Sequence, residues 1–346
     1  MIMKKYILNK LPVKTTNNFR INDLEIELDI PKLNNLNEYE MTNNSDLIIN
    51  KKIVNKKLDT KIGLEFDKYL DINITIPKNI SINETIMINY GFSKDDALIS
   101  KITFNYEENS CCNFVINYDS IDNNSHFNHL YEVVNMNDNS SGNISIVNTM
   151  NNNSYNFISI ESTNNNSSNL THNIIDLSGK VRVYNVYSDL FENSINALNN
   201  IYIGKNNSII DMNYYLRNIK ESSINKMKVE GSITDNCVKN FRGTIDFVKG
   251  CSNSIGEESE NCILLSDTCR SRSLPQLLCG EENVVGSHGV SSGKVDLEKL
   301  FYIMSRGYSI KEAEKLILLA NFNNILNLIP DSNVRDNIIN KLDSYI

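Results

Sequence analysis

Apolar and polar residues alternate along the chain from about residue 70 to residue 230. Ile72, Ile74 and Ile76 alternate with polar residues up to Pro77. The same two-residue period returns at 80–88, 143–147, 155–160, 181–186, 201–203 and 227–229. This alternation indicates strands with one buried face, and Asn, Asp or Gly after the runs tolerates turn conformations. The pattern predicts a mainly β protein built from short strands.

Two all-β architectures accommodate many short strands. One is an antiparallel sandwich, and the other is a parallel β-helix, in which strands stack coil upon coil and Asn side chains form ladders at the corners. Asn-Gly and Asp-Gly, the strongest marks of antiparallel hairpins, do not occur in the sequence. Their absence favours the β-helix, with coils of very roughly 20 residues.

Helical periodicity replaces the alternation after Gly293. Leu297, Leu300, Phe301 and Met304 share one helix face, which Gly307 can end. Ser309 to Glu312 matches a capping box at the start of a second helix. That helix has Ala313, Leu316, Ile317 and Ala320 on its predicted apolar face, and Val334, Ile338 and Leu342 predict a last short helix. Such an appendage can cap the column or provide a docking surface.

These patterns divide the chain into three regions. Residues 1–60 are weakly patterned and are interpreted as a variable N-terminal extension, either short helices or a loosely held arm. Residues 61–292 are predicted to form the parallel β-helix core. Residues 293–346 are predicted to form a C-terminal helical subdomain.

Composition excludes several functions. The net charge of −8 argues against a nucleic-acid partner, which requires a clustered basic surface. No stretch approaches the roughly 20 apolar residues of a membrane helix, so we expect a cytoplasmic protein whose seven cysteines are reduced. Gly289–Val295 contains a Gly-Lys pair without the spacing of a phosphate-binding loop, so we expect no bound nucleotide.

The candidate chemistry lies between Phe241 and Tyr308. Cys262, Cys269, Cys279 and the lone C-terminal His288 occur there, and their spacings do not match a zinc knuckle. A buried structural thiol is the commonest fate of one such cysteine. Cys269 and His288 are separated by close to one coil of the expected length, which would place them on adjacent coils. Because thiolate and imidazole bind iron and iron–sulfur clusters, these residues are candidate metal ligands.

Several short motifs in one order resemble the core of the SufB/SufD family, the scaffold subunits of SUF iron–sulfur cluster assembly. The resemblance covers roughly residues 225 to 325. The motifs are Phe241-Arg-Gly-Thr-Ile245, Leu264-Leu-Ser-Asp267, Pro275-Gln-Leu277, Ser287-His-Gly289, Leu300-Phe-Tyr302 and Ser305-Arg-Gly307 followed by Glu312-Ala313.

The resemblance implies a right-handed parallel β-helix and a non-catalytic scaffold that carries a transient iron–sulfur cluster. It implies a complex with the SufC ATPase, which would hydrolyse the ATP and dock on the C-terminal helices. It also implies pairing through the β-helix with a SufB-like paralogue or with a second copy. The residues expected to dock the ATPase are Leu297, Leu300, Phe301, Tyr302, Arg306 and Leu316.

One motif resembles the SufD branch, and two other positions depart from the family pattern. Ser287-His288-Gly289 resembles SufD, whereas SufB would have Glu at position 289. Glu260, two residues before Cys262, falls where the SufB scaffold cysteine is expected, which argues against a SufB-type scaffold role for Cys262. Gly286 departs from the SufD pattern, because it replaces a cysteine common there. The competing hypothesis is a β-helix carbohydrate-active enzyme or surface adhesin, which would act through carboxylates and aromatic residues on the outer face.

Overall fold

The structure, a computed structural model, describes residues 4–15, 19–31, 39–94 and 96–345. The first six strands are β1 (Lys4–Leu8), β2 (Leu24–Leu28), β3 (Tyr39–Met41), β4 (Ile48–Val54), β5 (Leu58–Asp59) and β6 (Glu65–Phe66). The next sixteen are β7 (Tyr69–Ile76), β8 (Ser81–Phe92), β9 (Ala97–Tyr106), β10 (Cys111–Ser120), β11 (Phe127–Met136), β12 (Ser141–Thr149), β13 (Tyr155–Asn164), β14 (Asn169–Asp176), β15 (Val181–Leu190), β16 (Ile195–Gly204), β17 (Ile209–Asn218), β18 (Ile224–Ile233), β19 (Val238–Phe247), β20 (Ile255–Leu264), β21 (Arg270–Cys279) and β22 (Val285–Lys294). The helices are α1 (Leu297–Met304), α2 (Ile310–Leu326) and α3 (Ser332–Tyr345).

Strands β7 to β22 form a parallel β-helix, as predicted. Odd-numbered strands build one sheet and even-numbered strands build the other, and each strand pairs in parallel with the strand two before it. One coil therefore contains two strands. A short coil runs from Tyr155 to its paired residue Val181, and a long one from Val238 to its paired residue Arg270. The predicted coil length was too short, because each coil includes two long strands and two corners.

Alternate residues of both sheets point into the column and pack there. Ile74, Phe104, Ile116 and Leu216 are fully buried members of one continuous apolar cluster. Full burial of such a side chain stabilises the fold by about 1.5–3 kcal/mol. The two-residue period therefore follows from one face of each strand being sequestered between the sheets.

The corners explain much of the asparagine content. Asn79, Asn109 and Asn139, at equivalent corners of successive coils, have φ values of 62°, 58° and 59°. Asn adopts this left-handed conformation more readily than most other residues. Stacked Asn side chains also bond between coils, since the Asn109 side chain donates to Asn79 at 3.0 Å. The predicted ladders of Asn are confirmed.

The described part of the N-terminal extension forms short strands joined by loops and packed on the column, so the expectation of short helices or a loose arm was wrong. β1 and β2 pair antiparallel with each other, and β4 pairs antiparallel with β7 at the start of the column. Leu8, Leu24 and Phe66 belong to a cluster that covers the outer face of the odd-numbered sheet. Residues 1–3, 16–18 and 32–38 of the extension lie outside the described residues.

The C-terminal helices cover the outer face of the even-numbered sheet. Leu318, Phe322 and Ile325 of α2 pack in one cluster with Ile175 and Ile201 of the sheet. Among the described residues no helix is both long and apolar enough to cross a membrane.

The helix signals are confirmed, with one difference in α2. Ser309 and Glu312 form the capping box, and Gly307 has a φ of 98°. The predicted apolar face of α2 is only partly buried, because the helix rests on the sheet through its C-terminal half. Ala313 is buried, whereas Leu316 and Ala320 are exposed.

Candidate functional site at the open end of the β-helix

The last coil leaves both sheets with an open edge. β21 and β22 are the end strands of their sheets, and no described strand pairs with their outer edges. Nearly all of β22 is exposed, whereas the equivalent positions of β18 are mostly buried or half-buried. Unpaired peptide groups along an edge are a template for pairing with another chain.

His288 lies on this open edge. It is exposed and stands in register with Glu258 of β20, so alternation places both residues on the inward face of the sheet. Cys269 does not lie one coil away from His288, as their spacing in the sequence had predicted. It immediately precedes β21 in the same coil as β22, because each coil contains two strands and two corners.

The interior of the column becomes polar near this end. Lys239 of β19 forms a buried ion pair with Glu260 of β20 and donates to the Ser273 hydroxyl at 2.8 Å. Tyr202 donates to the same oxygen of Glu260, Oε1, at 2.9 Å. A buried charge is tolerated only when it is paired and hydrogen-bonded, and Glu260 Oε1 has such partners, whereas Glu260 Oε2 has none among the described residues.

The carboxylate of Glu258 has no such partners. Glu258 is only 3% exposed, and neither of its carboxylate oxygens has a hydrogen-bond partner among the described residues. Burial, and secondarily the neighbouring Glu260, raises the pKa of Glu258 to about 8. The carboxylate reaches across the column to Gly243, where a Cβ would collide with Glu258 Oε1. Gly243, in the Phe241–Ile245 motif, therefore makes room for this side chain.

The candidate thiols occupy different environments. Cys262 is fully buried, and burial raises the pKa of its thiol. Cys237, also buried, is close enough to Cys262 and Cys269 for their charges to affect its pKa, which burial raises to about 11. Cys269 is half-buried, with its sulfur 3.1 Å from the Ser266 carbonyl, and Cys279 is exposed.

The structure does not bring His288 and the candidate thiols into one ligand set. Cys262 lies four residues along β20 from Glu258, about 13 Å in an extended strand. In the part of the chain that the structure describes, no three His, Cys, Asp or Glu residues are arranged to hold one metal ion. The arrangement instead offers an exposed imidazole beside buried carboxylates, with thiols in a separate layer.

The residues expected to dock an ATPase lie on and next to α1. Leu297 and Phe301 are each 74% exposed, and Tyr302, Arg306 and Leu316 are also exposed. Leu300 differs, because it faces inward and is buried. Four of the five exposed residues are apolar or aromatic, and the column does not cover them.

Sequence reasoning missed the interior position of Glu258, Lys239 and Tyr202. The signal was present, since Glu258, Glu260 and Cys262 alternate with other residues along β20. Alternating acids usually mark a solvent-facing side of a strand, so the pattern by itself did not identify them as interior residues.

Comparison with known proteins matches most of this chain to one family. Residues 89–321, about two thirds of the chain, match the family model described as SUF system FeS cluster assembly, SufBD core domain. The chain is 22% identical over 283 residues to the iron–sulfur cluster assembly protein SufD of Bacillus subtilis, covering 78% of this chain and 63% of that protein. It is 23% identical over 167 residues to SufD of Escherichia coli, covering 48% of this chain and 40% of that protein.

A SufBD family protein of Pyrococcus horikoshii is 32% identical over 143 residues, covering 41% of this chain and 31% of that protein. The chain thus spans less than two thirds of the length of each of these relatives. None of the three is named as a carbohydrate-active enzyme or adhesin, the alternative that the sequence had left open. The match over most of the β-helix shows that this chain belongs to the SufBD family and, within it, is SufD-like.

Proposed function

We propose that this chain is a scaffold subunit of SUF iron–sulfur cluster assembly that supplies ligands to a nascent cluster and breaks no bond itself. The observation that supports this role best is the exposed His288 on the open edge of the family's core domain. An imidazole there is available to iron arriving from solvent or from a partner. Cys279, exposed in the same coil, Cys269, half-buried just before β21, and Cys262, buried one coil deeper, are the thiols proposed to contribute.

The open edge also supports pairing with a second scaffold chain. β21 and β22 offer two rows of unpaired peptide groups, and the polar end of the column would become the centre of the contact. The partner is either a second copy of this chain or a SufB-like paralogue. In both cases His288 would lie at the seam between the two β-helices.

A SufC-type ATPase is the proposed second partner. The exposed apolar residues of α1 and the start of α2 are large enough to anchor it, since aromatic residues dominate binding energy in most interfaces. ATP hydrolysis would belong to that partner, and this chain would bind no nucleotide. Movement of the ATPase would then expose or close the seam that contains His288.

Anaerobic reconstitution tests the scaffold role. The chain is purified alone, with the ATPase, and with a SufB-like paralogue, and is then incubated with Fe(II) and sulfide. We expect visible charge-transfer absorbance that His288→Ala reduces by about tenfold or more, as loss of residues around a metal typically does. Ser287→Ala is the matched control, because Ser287 is an exposed neighbour on the opposite face of β22. Equal absorbance in wild type and His288→Ala would reject His288 as a ligand.

Phe301→Ser tests the ATPase surface. Phe301 is 74% exposed, so the substitution removes little packing within the subunit. We expect the ATPase to bind more weakly by about 2 kcal/mol or more, the loss typical of an aromatic anchor. Lys299→Ser, an exposed position on the same helix, should leave binding unchanged. Calorimetric titration measures both, and equal affinities for the two variants would place the docking surface elsewhere.

A further inference from the structure

Glu258 is the least satisfied buried ionisable group near the open end. Its two oxygens have no hydrogen-bond partner among the described residues, although the residue is only 3% exposed. Glu260, two positions along the same strand and on the same face, also has one unpartnered oxygen, Oε2. Burying a carboxylate oxygen without a partner costs free energy, so three such oxygens on neighbouring side chains of β20 require a physical reason.

The nearby cation does not neutralise Glu258. Lys239 is paired with Glu260 and hydrogen-bonded to Ser273, so one positive charge faces two carboxylates. Ionised Glu258 would therefore leave this layer with one uncompensated negative charge. A cation that entered from the open end would both neutralise that charge and satisfy the oxygens.

His288 of β22 is in register with Glu258 of β20. Paired residues on adjacent parallel strands lie about 4.8 Å apart, so the two side chains are neighbours on the inward face. No described coil stacks above β22, which leaves the imidazole exposed and able to turn towards the carboxylate. Solvent reaches His288 directly, whereas Glu258 lies one layer deeper.

We infer that Glu258 and His288 form an oxygen–nitrogen binding site for a single divalent metal ion at the open end of the column. The inference deepens the proposed function and rests on it for the identity of the natural ion, Fe(II). Carboxylate and imidazole suit Fe(II) and Mn(II), whereas thiolates select clusters and softer metals. Glu258 would supply one or both oxygens, His288 one nitrogen, and water the remaining positions. The site would receive iron as a free ion, before sulfide joins it.

Binding of Mn(II) tests this site, because Mn(II) accepts the same ligands and is read directly by electron paramagnetic resonance. The full-length chain is titrated without sulfide. We expect one equivalent to bind, and Glu258→Gln to weaken binding by about tenfold or more. Glu257→Gln is the matched control, since Glu257 is the adjacent residue, is exposed and faces outward. Binding that is equal in the Glu258→Gln variant and wild type would overturn the inference.

A second measurement does not depend on affinity. Pulsed resonance on bound Mn(II) should show coupling to one ¹⁴N nucleus, and His288→Asn should remove that coupling. Coupling that persists in His288→Asn would also overturn the inference. Circular dichroism of each variant confirms that the loss does not come from unfolding.

The outcomes separate this inference from the proposed function. Wild-type chain that assembles a cluster with its partners, while Glu258→Gln binds Mn(II) normally, supports the scaffold role and rejects the site. Chain that binds Mn(II) through Glu258 and His288 but never assembles a cluster supports the site and rejects the scaffold role.

Discussion

Replacing Arg242 with Met should lower the free energy of unfolding by about 3–5 kcal/mol, the cost of leaving one partner of a buried ion pair alone. Arg242 is fully buried on the outer face of β19 and pairs with Asp211 of β17. It also donates to the Met212 and Ile21 carbonyls, each at 3.2 Å. The substitution therefore removes a charge partner and one of the hydrogen bonds that join the column to the N-terminal segment.

Urea denaturation followed by circular dichroism measures this loss. Arg217→Met is the matched control, because the Arg217 and Asp189 side chains are each roughly a quarter exposed. Its loss should not exceed about 1 kcal/mol, as for other solvent-accessible pairs. Adding Asp211→Asn to Arg242→Met should recover part of the stability, since no unpaired charge then remains. Equal losses for Arg242→Met and Arg217→Met would show that burial of the pair does not matter.

The structure explains why the first three residues of the Phe241–Ile245 motif are Phe, Arg and Gly. In Phe241-Arg-Gly, Phe241 points into the column, Arg242 points outward beneath the N-terminal strands, and Gly243 accommodates Glu258. Three successive residues thus serve the core, the attachment of the N-terminal segment and the polar end.

The strands and helices could be predicted because their signals are local. Alternation at Ile72, Ile74 and Ile76 indicates a strand with one buried face, and Ser309 with Glu312 indicates the start of a helix from only four residues. Coil length is not local, because it depends on how many strands and corners separate two paired residues. Alternation is the same whether a coil contains one strand or two, so the number of residues between Cys269 and His288 could not show that both lie in the same coil.

The N-terminal strands and the polar interior near the open end could not be predicted from the sequence, for related reasons. β4 is an antiparallel edge strand whose residues are mostly exposed, so its sequence has little periodicity. The alternation of Glu258 and Glu260 shows that they share a face but not which face is inside. His288 was identified as the lone histidine of the cysteine-rich segment and then through its motif, whereas its neighbour Glu258 could be identified only from the register of β20 and β22.

Glu258→Gln should reduce the loss of stability that the protein undergoes as the pH rises. Burial raises the pKa of Glu258 from its ordinary value of 4.5 to about 8 in the folded chain. Between these values the folded chain keeps a proton that the unfolded chain releases, so stability falls as the pH rises through this window. The fall amounts to roughly 3–5 kcal/mol by pH 8. Gln cannot ionise and should not show this contribution.

Urea denaturation at pH 5 and pH 8, with a chelator present to remove metal ions, measures the difference. Wild type should lose about 3–4 kcal/mol more than Glu258→Gln between the two pH values, because only wild type must either retain its proton or bury a charge. Glu257→Gln should follow wild type, since Glu257 is exposed. Parallel pH dependence in wild type and Glu258→Gln would mean that Glu258 is solvated or paired in solution. A carboxylate that already had a partner would have little need of a metal ion, so this result would also weaken the case for a site shared with His288.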